Sequence, residues 1–182
     1  MPTMSPGFAL ADYANRDEEE EKLPALGAVH FFEASGVWAK VVQVHTACIS
    51  DGTADVIRSG DVLYQMATTN IVTNDRSEAV TDTPDAFAGV APQLTANVPE
   101  STSTAIYYMW MILKVKGTRA TVRTNGDDDI VAGNFVVASG DGTCDSVAVG
   151  SESAQNINEA RLIGKAAAAD SDSANTVSVD FS

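Results

Sequence analysis

The sequence predicts a mainly β protein: two related small β units forming a compact barrel- or sandwich-like body, led by an extended or partly helical N-terminal arm. Three observations carry this expectation. The second half is poor in helix formers and rich in Val, Thr, Ser, Gly and Asp, a bias toward strands and tight turns. Glycine landmarks recur in the same order in two halves of the chain. The chain closes on TVSVDF, which puts Val177, Val179 and Phe181 on one face and Ser178 and Asp180 on the other, the period of a half-buried strand. A globule of 182 residues buries ~70% of the surface its unfolded chain exposes, so a core alone can hold it folded.

Residues 1–27 read as an arm with two early prolines, the short apolar patch Phe8, Leu10 and Tyr13, and the acidic run Asp17–Glu21. A short helix over roughly Ala9–Lys22 fits between Pro6 and Pro24, and the acidic run reads as a solvated face. The apolar patch is a candidate docking element, ordered only against a partner. Residues 28–182 form the β body, with repeat units at about 37–106 and 107–182.

Two stretches disclose the repeat. SGDVLYQ, residues 59–65, and AGNFVVA, residues 132–138, each set a small residue and a glycine before Asp or Asn and an apolar run. WAKVVQVHTACISDG, Trp38–Gly52, lies without gaps on ILKVKGTRATVRTNG, Ile112–Gly126, and FAGVA, Phe87–Ala91, matches LIGKA, Leu162–Ala166. The pairs Gly52/Gly126, Gly60/Gly133 and Gly89/Gly164 thus recur at nearly constant offset, as in a duplicated unit. Each unit reads as a strand pair (38–49 or 111–123), a polar turn (SDGTAD or TNGDDD), a strand opened by the repeated glycine, a polar loop, a short Gly-x-Ala segment and a closing strand. Within residues 37–182, helix periodicity is confined to Glu159–Ala169.

The order of these pieces resembles the tailed-phage head decoration, or capsid cement, proteins of the small tandem-β type. The resemblance rests on Ser59–Tyr64, Gly89–Ala91, Ala132–Val137, Gly164–Ala166, the small-residue stretch Ala166–Ala174 and the terminal strand Thr176–Phe181. It covers roughly Val37–Phe181. The long acidic arm and the extended Asp85–Ile106 depart from the family's pattern. The resemblance implies a non-enzymatic structural protein, often a homotrimer, that binds the major capsid protein on the outer surface of the virion where subunits meet. It implies assembly in a bacterial cytoplasm and no catalytic residues. The rival reading is a β-domain of a phage fibre, spike or adhesin that binds a glycan or receptor.

Charge and motif content narrow the alternatives. The net charge of −14, from 25 acidic and 11 basic side chains, opposes phosphate backbones and anionic membrane surfaces, so neither nucleic acid nor membrane is an expected partner. The longest apolar run, Tyr107–Leu113, is too short to span a bilayer, and no signal peptide is expected from the opening residues. Cys48 and Cys144 read as free thiols. His30 and His45 are too few for a histidine metal site, and no nucleophile–base constellation stands out. Asp127, Asp128, Asp129, Asp141 and Asp145 lack the full calcium-loop spacing and read as turn residues. No cofactor is expected.

The run YYMWMILKV, Tyr107–Val115, is apolar on both faces, as a strand buried on two sides would be. The face with Met109 and Met111 reads as core. The face with Tyr108 and Trp110 is open to two readings, core or subunit interface, because aromatic residues suit both.

Overall fold

The computed structural model describes residues 9–15, 23–78, 87–126, 130–149, 161–170 and 175–182. The sequence folds as β1 (Tyr13–Asn15), β2 (Val29–Phe32), β3 (Val37–Val44), β4 (Val56–Ile57), β5 (Val62–Gln65), β6 (Ile71–Thr73), β7 (Phe87–Val90), β8 (Val98–Pro99), β9 (Tyr107–Ile112), β10 (Arg119–Arg123), β11 (Phe135–Gly140), β12 (Thr143–Val147), β13 (Leu162–Ala166) and β14 (Thr176–Phe181). A 3₁₀ turn, Arg76–Glu78, follows β6. The mainly β class is as predicted.

Two five-strand sets share one order of pairing. In the first, β3, β9, β7, β5 and β6 are neighbours in that order, and a parallel β6–β3 contact closes the ring. In the second, β10, β14, β13, β11 and β12 follow the same order, and the parallel bridge Thr124–Cys144 joins its ends. β2 extends the first set as a hairpin on β3, β1 adds to β9, and β4 pairs with β8 in a separate ribbon.

The repeated glycines explain why both copies fold alike. Gly60 and Gly133 take φ of 77° and 89°, a conformation that costs glycine nothing. Each amide donates across to an equivalent alanine, Gly60 to Ala91 O at 3.1 Å and Gly133 to Ala166 O at 2.8 Å. Those alanines return the bond to Asp61 O and Asn134 O, both at 2.9 Å. Gly89 pairs with Leu63 and Gly164 with Val136, and each pair sits at a register shift in the partner strand. A Cβ at Gly89 would strike the Ile112 carbonyl, and one at Gly164 the Asp180 carbonyl. Both glycines therefore allow a neighbouring strand to pass close.

The gapless match of Trp38–Gly52 on Ile112–Gly126 does not survive. Val44 lies beside Val72, and Thr124 beside Cys144; Val72 and Cys144 in turn pair with the equivalent residues Gln65 and Ala138. Val44 thus corresponds to Thr124, and Gly52 and Gly126 fall at different points of their loops. ILKV ends the first unit and does not open the second: β9 closes the first ring, so the units divide after Ile112 rather than before Tyr107. The expected helical stretch at 159–169 contains strand β13 over its described part.

Alternate residues of the central strands serve two cores. Leu63 faces the interior of the first barrel with Val42, Val44, Ile57, Val72, Met109 and Met111. Val62 and Tyr64 on the other face of β5 join Val122, Val136, Ile163, Val177 and Phe181 in a core shared by both barrels. β14 buries Val177, Val179 and Phe181 and leaves Ser178 and Asp180 half-buried, as its alternation predicts.

Candidate functional site

The junction between the barrels is built around one buried carboxylate. Asp61, the counterpart of Asn134, has no exposed surface. Its Oδ1 accepts from Arg123 Nε at 2.7 Å, so the ion pair crosses from the first barrel to the second. Its Oδ2 accepts from Asn74 Nδ2 at 2.6 Å and from the Arg58 amide at 2.9 Å. Burial pushes the Asp61 carboxyl above its ordinary value, against the pull of Arg123, the Arg58 amide, Asn74 and the Arg58 charge. The same seam is closed by backbone bonds: Arg123 N donates to Gly60 O at 2.8 Å and Val62 N to Gly142 O at 2.9 Å. The Tyr64 hydroxyl donates to Gly140 O at 2.7 Å. A buried charge is tolerated only when it is paired and hydrogen-bonded, and this one is tied to both barrels.

A cleft of about 300 Å³ opens along the seam, lined by Leu10, Val37, Pro92, Ile112, Arg119 and Thr121 among others. Its walls come from the arm and both barrels.

Of the predicted contact residues, Leu10 and Tyr13 pack against their own chain. Tyr13 lies in β1 opposite Met109, with its ring 6.3 Å from that of Tyr107. Leu10 packs against the shared core and against the cluster of Ala39, Val41 and Trp110. Over its described part, residues 9–15, the expected Ala9–Lys22 helix is instead a turn followed by strand β1 at Tyr13–Asn15. Pairing with β9 offers this segment a ladder that an isolated helix lacks. Phe8 and the acidic run Asp17–Glu21 lie outside the described residues.

Trp110 is fully buried, covered by Phe32, Leu23, Ala28 and Leu10. Phe32 meets its ring edge-on at 5.0 Å. Of the two readings for this face, the structure places Trp110 in the interior, because β2 and the arm fold over it. Tyr108 packs against the same cluster and is half-buried.

The candidate chemical groups are dispersed. His30 meets the Phe32 ring edge-on at 5.0 Å and lies tilted 6.3 Å from that of Trp110, whereas the Nδ1 of His45 accepts from the Ala47 amide at 3.2 Å. Burial pushes both thiols, Cys48 and Cys144, up to about 12, and both are free. Asp51 caps its own turn through bonds from Thr53 and Ala54, which draw its carboxyl down to about 2. Asp141 Oδ1 accepts from the Arg76 amide and Asp145 Oδ1 from the Ser146 amide. Asp127, Asp128 and Asp129 lie outside the described residues. Among the described residues, no group of three His, Cys, Asp or Glu side chains is placed to hold a metal, and no helix is long and apolar enough to cross a membrane.

The sequence reading missed the most exposed aromatic surface among the described residues. Val29, Phe31 and Trp38 are 51%, 37% and 42% exposed on one face of the β2–β3 hairpin. Phe31 and Trp38 are cross-strand partners with ring centroids 5.2 Å apart. The signal was present in VHFF and VWAK: both strands are apolar on both faces, yet an edge hairpin has a core on one side only. No protein-family model and no curated protein matches this chain.

Proposed function

We propose that the chain is a non-enzymatic structural protein that binds the outer surface of a bacteriophage head and stabilises junctions between major capsid protein subunits. The observation that carries this reading is the fusion of two like barrels into one body by a shared core and the buried Asp61–Arg123 pair. A stiff two-lobed body is suited to bridging neighbouring subunits, since little of its binding energy is lost to ordering. Many copies on one head would add modest contacts through avidity. The net charge of −14 favours the exterior, away from packed DNA. The sequence resemblance supplies the phage context. The cleft at the seam is a candidate capsid contact, because both barrels and the arm line it.

The test is sedimentation of the purified chain with expanded, emptied heads of the phage that encodes it. Saturable binding supports the reading. A chain that ignores such heads but binds glycans or cells would favour the fibre or adhesin reading instead.

A further inference from the structure

The β2 edge of the first sheet is shaped for a second copy of itself. β2 ends the sheet order, and among the described residues it pairs with β3 alone. The bond from Val41 N to Ala28 O and the register Val29–Lys40, His30–Ala39, Phe31–Trp38, Phe32–Val37 fix the parity of the ladder. In an antiparallel pair, hydrogen-bonded and non-bonded positions alternate. Ala28, His30 and Phe32 therefore turn their backbone groups toward β3. Val29 and Phe31 turn theirs outward, to the open edge. The same two residues carry exposed apolar side chains. An edge that combines free amides with exposed apolar groups templates strand addition.

Charge selects the occupant and its direction. Glu33 is exposed in the turn at one end of the hairpin, and Lys40 lies beside Val29 at the other. A hairpin that is acidic at one end and basic at the other complements an antiparallel copy of itself and opposes a parallel one. We infer that two copies of the chain associate through antiparallel β2–β2 pairing about a two-fold axis at His30. In this register Val29 of each copy faces Phe31 of the other, so all outward-facing amides of both strands are satisfied. On the exposed face, the Phe31–Trp38 pair of one copy meets Val29 and the Lys40 stem of the second. The Glu33 turn of each copy approaches the Lys40 end of the other. The contact is isologous, so it closes at two copies. It does not rest on the capsid reading, since it needs no head.

The experiment is analytical ultracentrifugation of the full chain across concentrations up to about 100 µM, where even weak pairing populates. A concentration-dependent dimer is expected. Phe31→Lys should weaken it at least tenfold while lowering the melting temperature only slightly, because within one copy it removes little beyond the Phe31–Trp38 ring contact. Glu33→Lys or Lys40→Glu alone should weaken it, and the two reversals together should restore it. His30→Cys should form a disulfide-linked dimer on mild oxidation, because directly opposed non-bonded residues stand ~5 Å apart at Cβ. A chain that stays monomeric, a trimer, or a dimer indifferent to Phe31→Lys would each overturn the proposal. So would a double reversal that fails to restore a dimer lost in both single variants.

Discussion

Replacing Arg123 with Ala removes the charge that reaches Asp61 from the second barrel. Asp61 is fully buried, whereas the Arg123 side chain is 23% exposed. Removing one partner of a buried ion pair costs roughly 3–5 kcal/mol. Water can reach the site once the partly exposed Arg123 side chain is gone, so the lower end, about 3 kcal/mol, is expected. Asp61→Asn keeps the shape and leaves Arg123 able to turn toward solvent, so about 1–2 kcal/mol is expected. The double variant should lose less than the sum, with a coupling of about 2 kcal/mol. Urea unfolding measures all four stabilities. The pH dependence has a definite sign. Burial raises the folded-state value of Asp61 above the ordinary 3.8, so its contribution is present below that value and is lost as pH rises through the raised one. Without Arg123 the rise is larger, so Arg123→Ala should be more destabilised at pH 7 than at pH 4. Additive single losses, or a cost that shrinks as pH rises, would refute the assignment of this pair as the lock between barrels.

Trp110→Ala should cost about 3–5 kcal/mol in a folding assay at any protein concentration, whereas Trp110→Phe should cost less, because the indole N–H is buried without a partner among the described residues. A loss seen only in assembly would place Trp110 at an interface. Gly164→Ala and Gly89→Ala should each lower the melting temperature sharply, since a Cβ meets backbone carbonyls there; tolerance at either site would contradict the close strand approach. Cys48 and Cys144, raised to about 12, should resist a thiol-reactive dye at pH 8 until denaturant is added. Truncation before Leu23 should lower stability, since it strips β1 from β9 and Leu10 from Trp110; an unchanged melting curve would return the arm to the role of a free docking segment.

Much of the architecture was legible because the repeat is written in residues that backbone geometry demands. Gly60 and Gly133 need positive φ, and Gly89 and Gly164 need an absent side chain, so these four kept their places. The first strand of each unit needs only alternating apolar residues, and many residues satisfy that. A gapless match there slid β10 out of register. Tyr107–Val115 was readable as two-sided. What lay on its second side was not, because β2 and the arm are distant in sequence. Asp61 was read as part of a repeated strand start. Its role at the seam depends on Arg123, which no local pattern links to it. The β2 edge escaped notice because exposure of Val29, Phe31 and Trp38 follows from the sheet order.

The most direct measurement of the central claim is an electron cryomicroscopy map of expanded heads incubated with the purified chain. The account expects two-lobed density matching the joined barrels on the outer face of the shell, at junctions between capsid subunits, at a fixed number of copies. Bare junctions at saturating concentration, or density on the inner face, would contradict it.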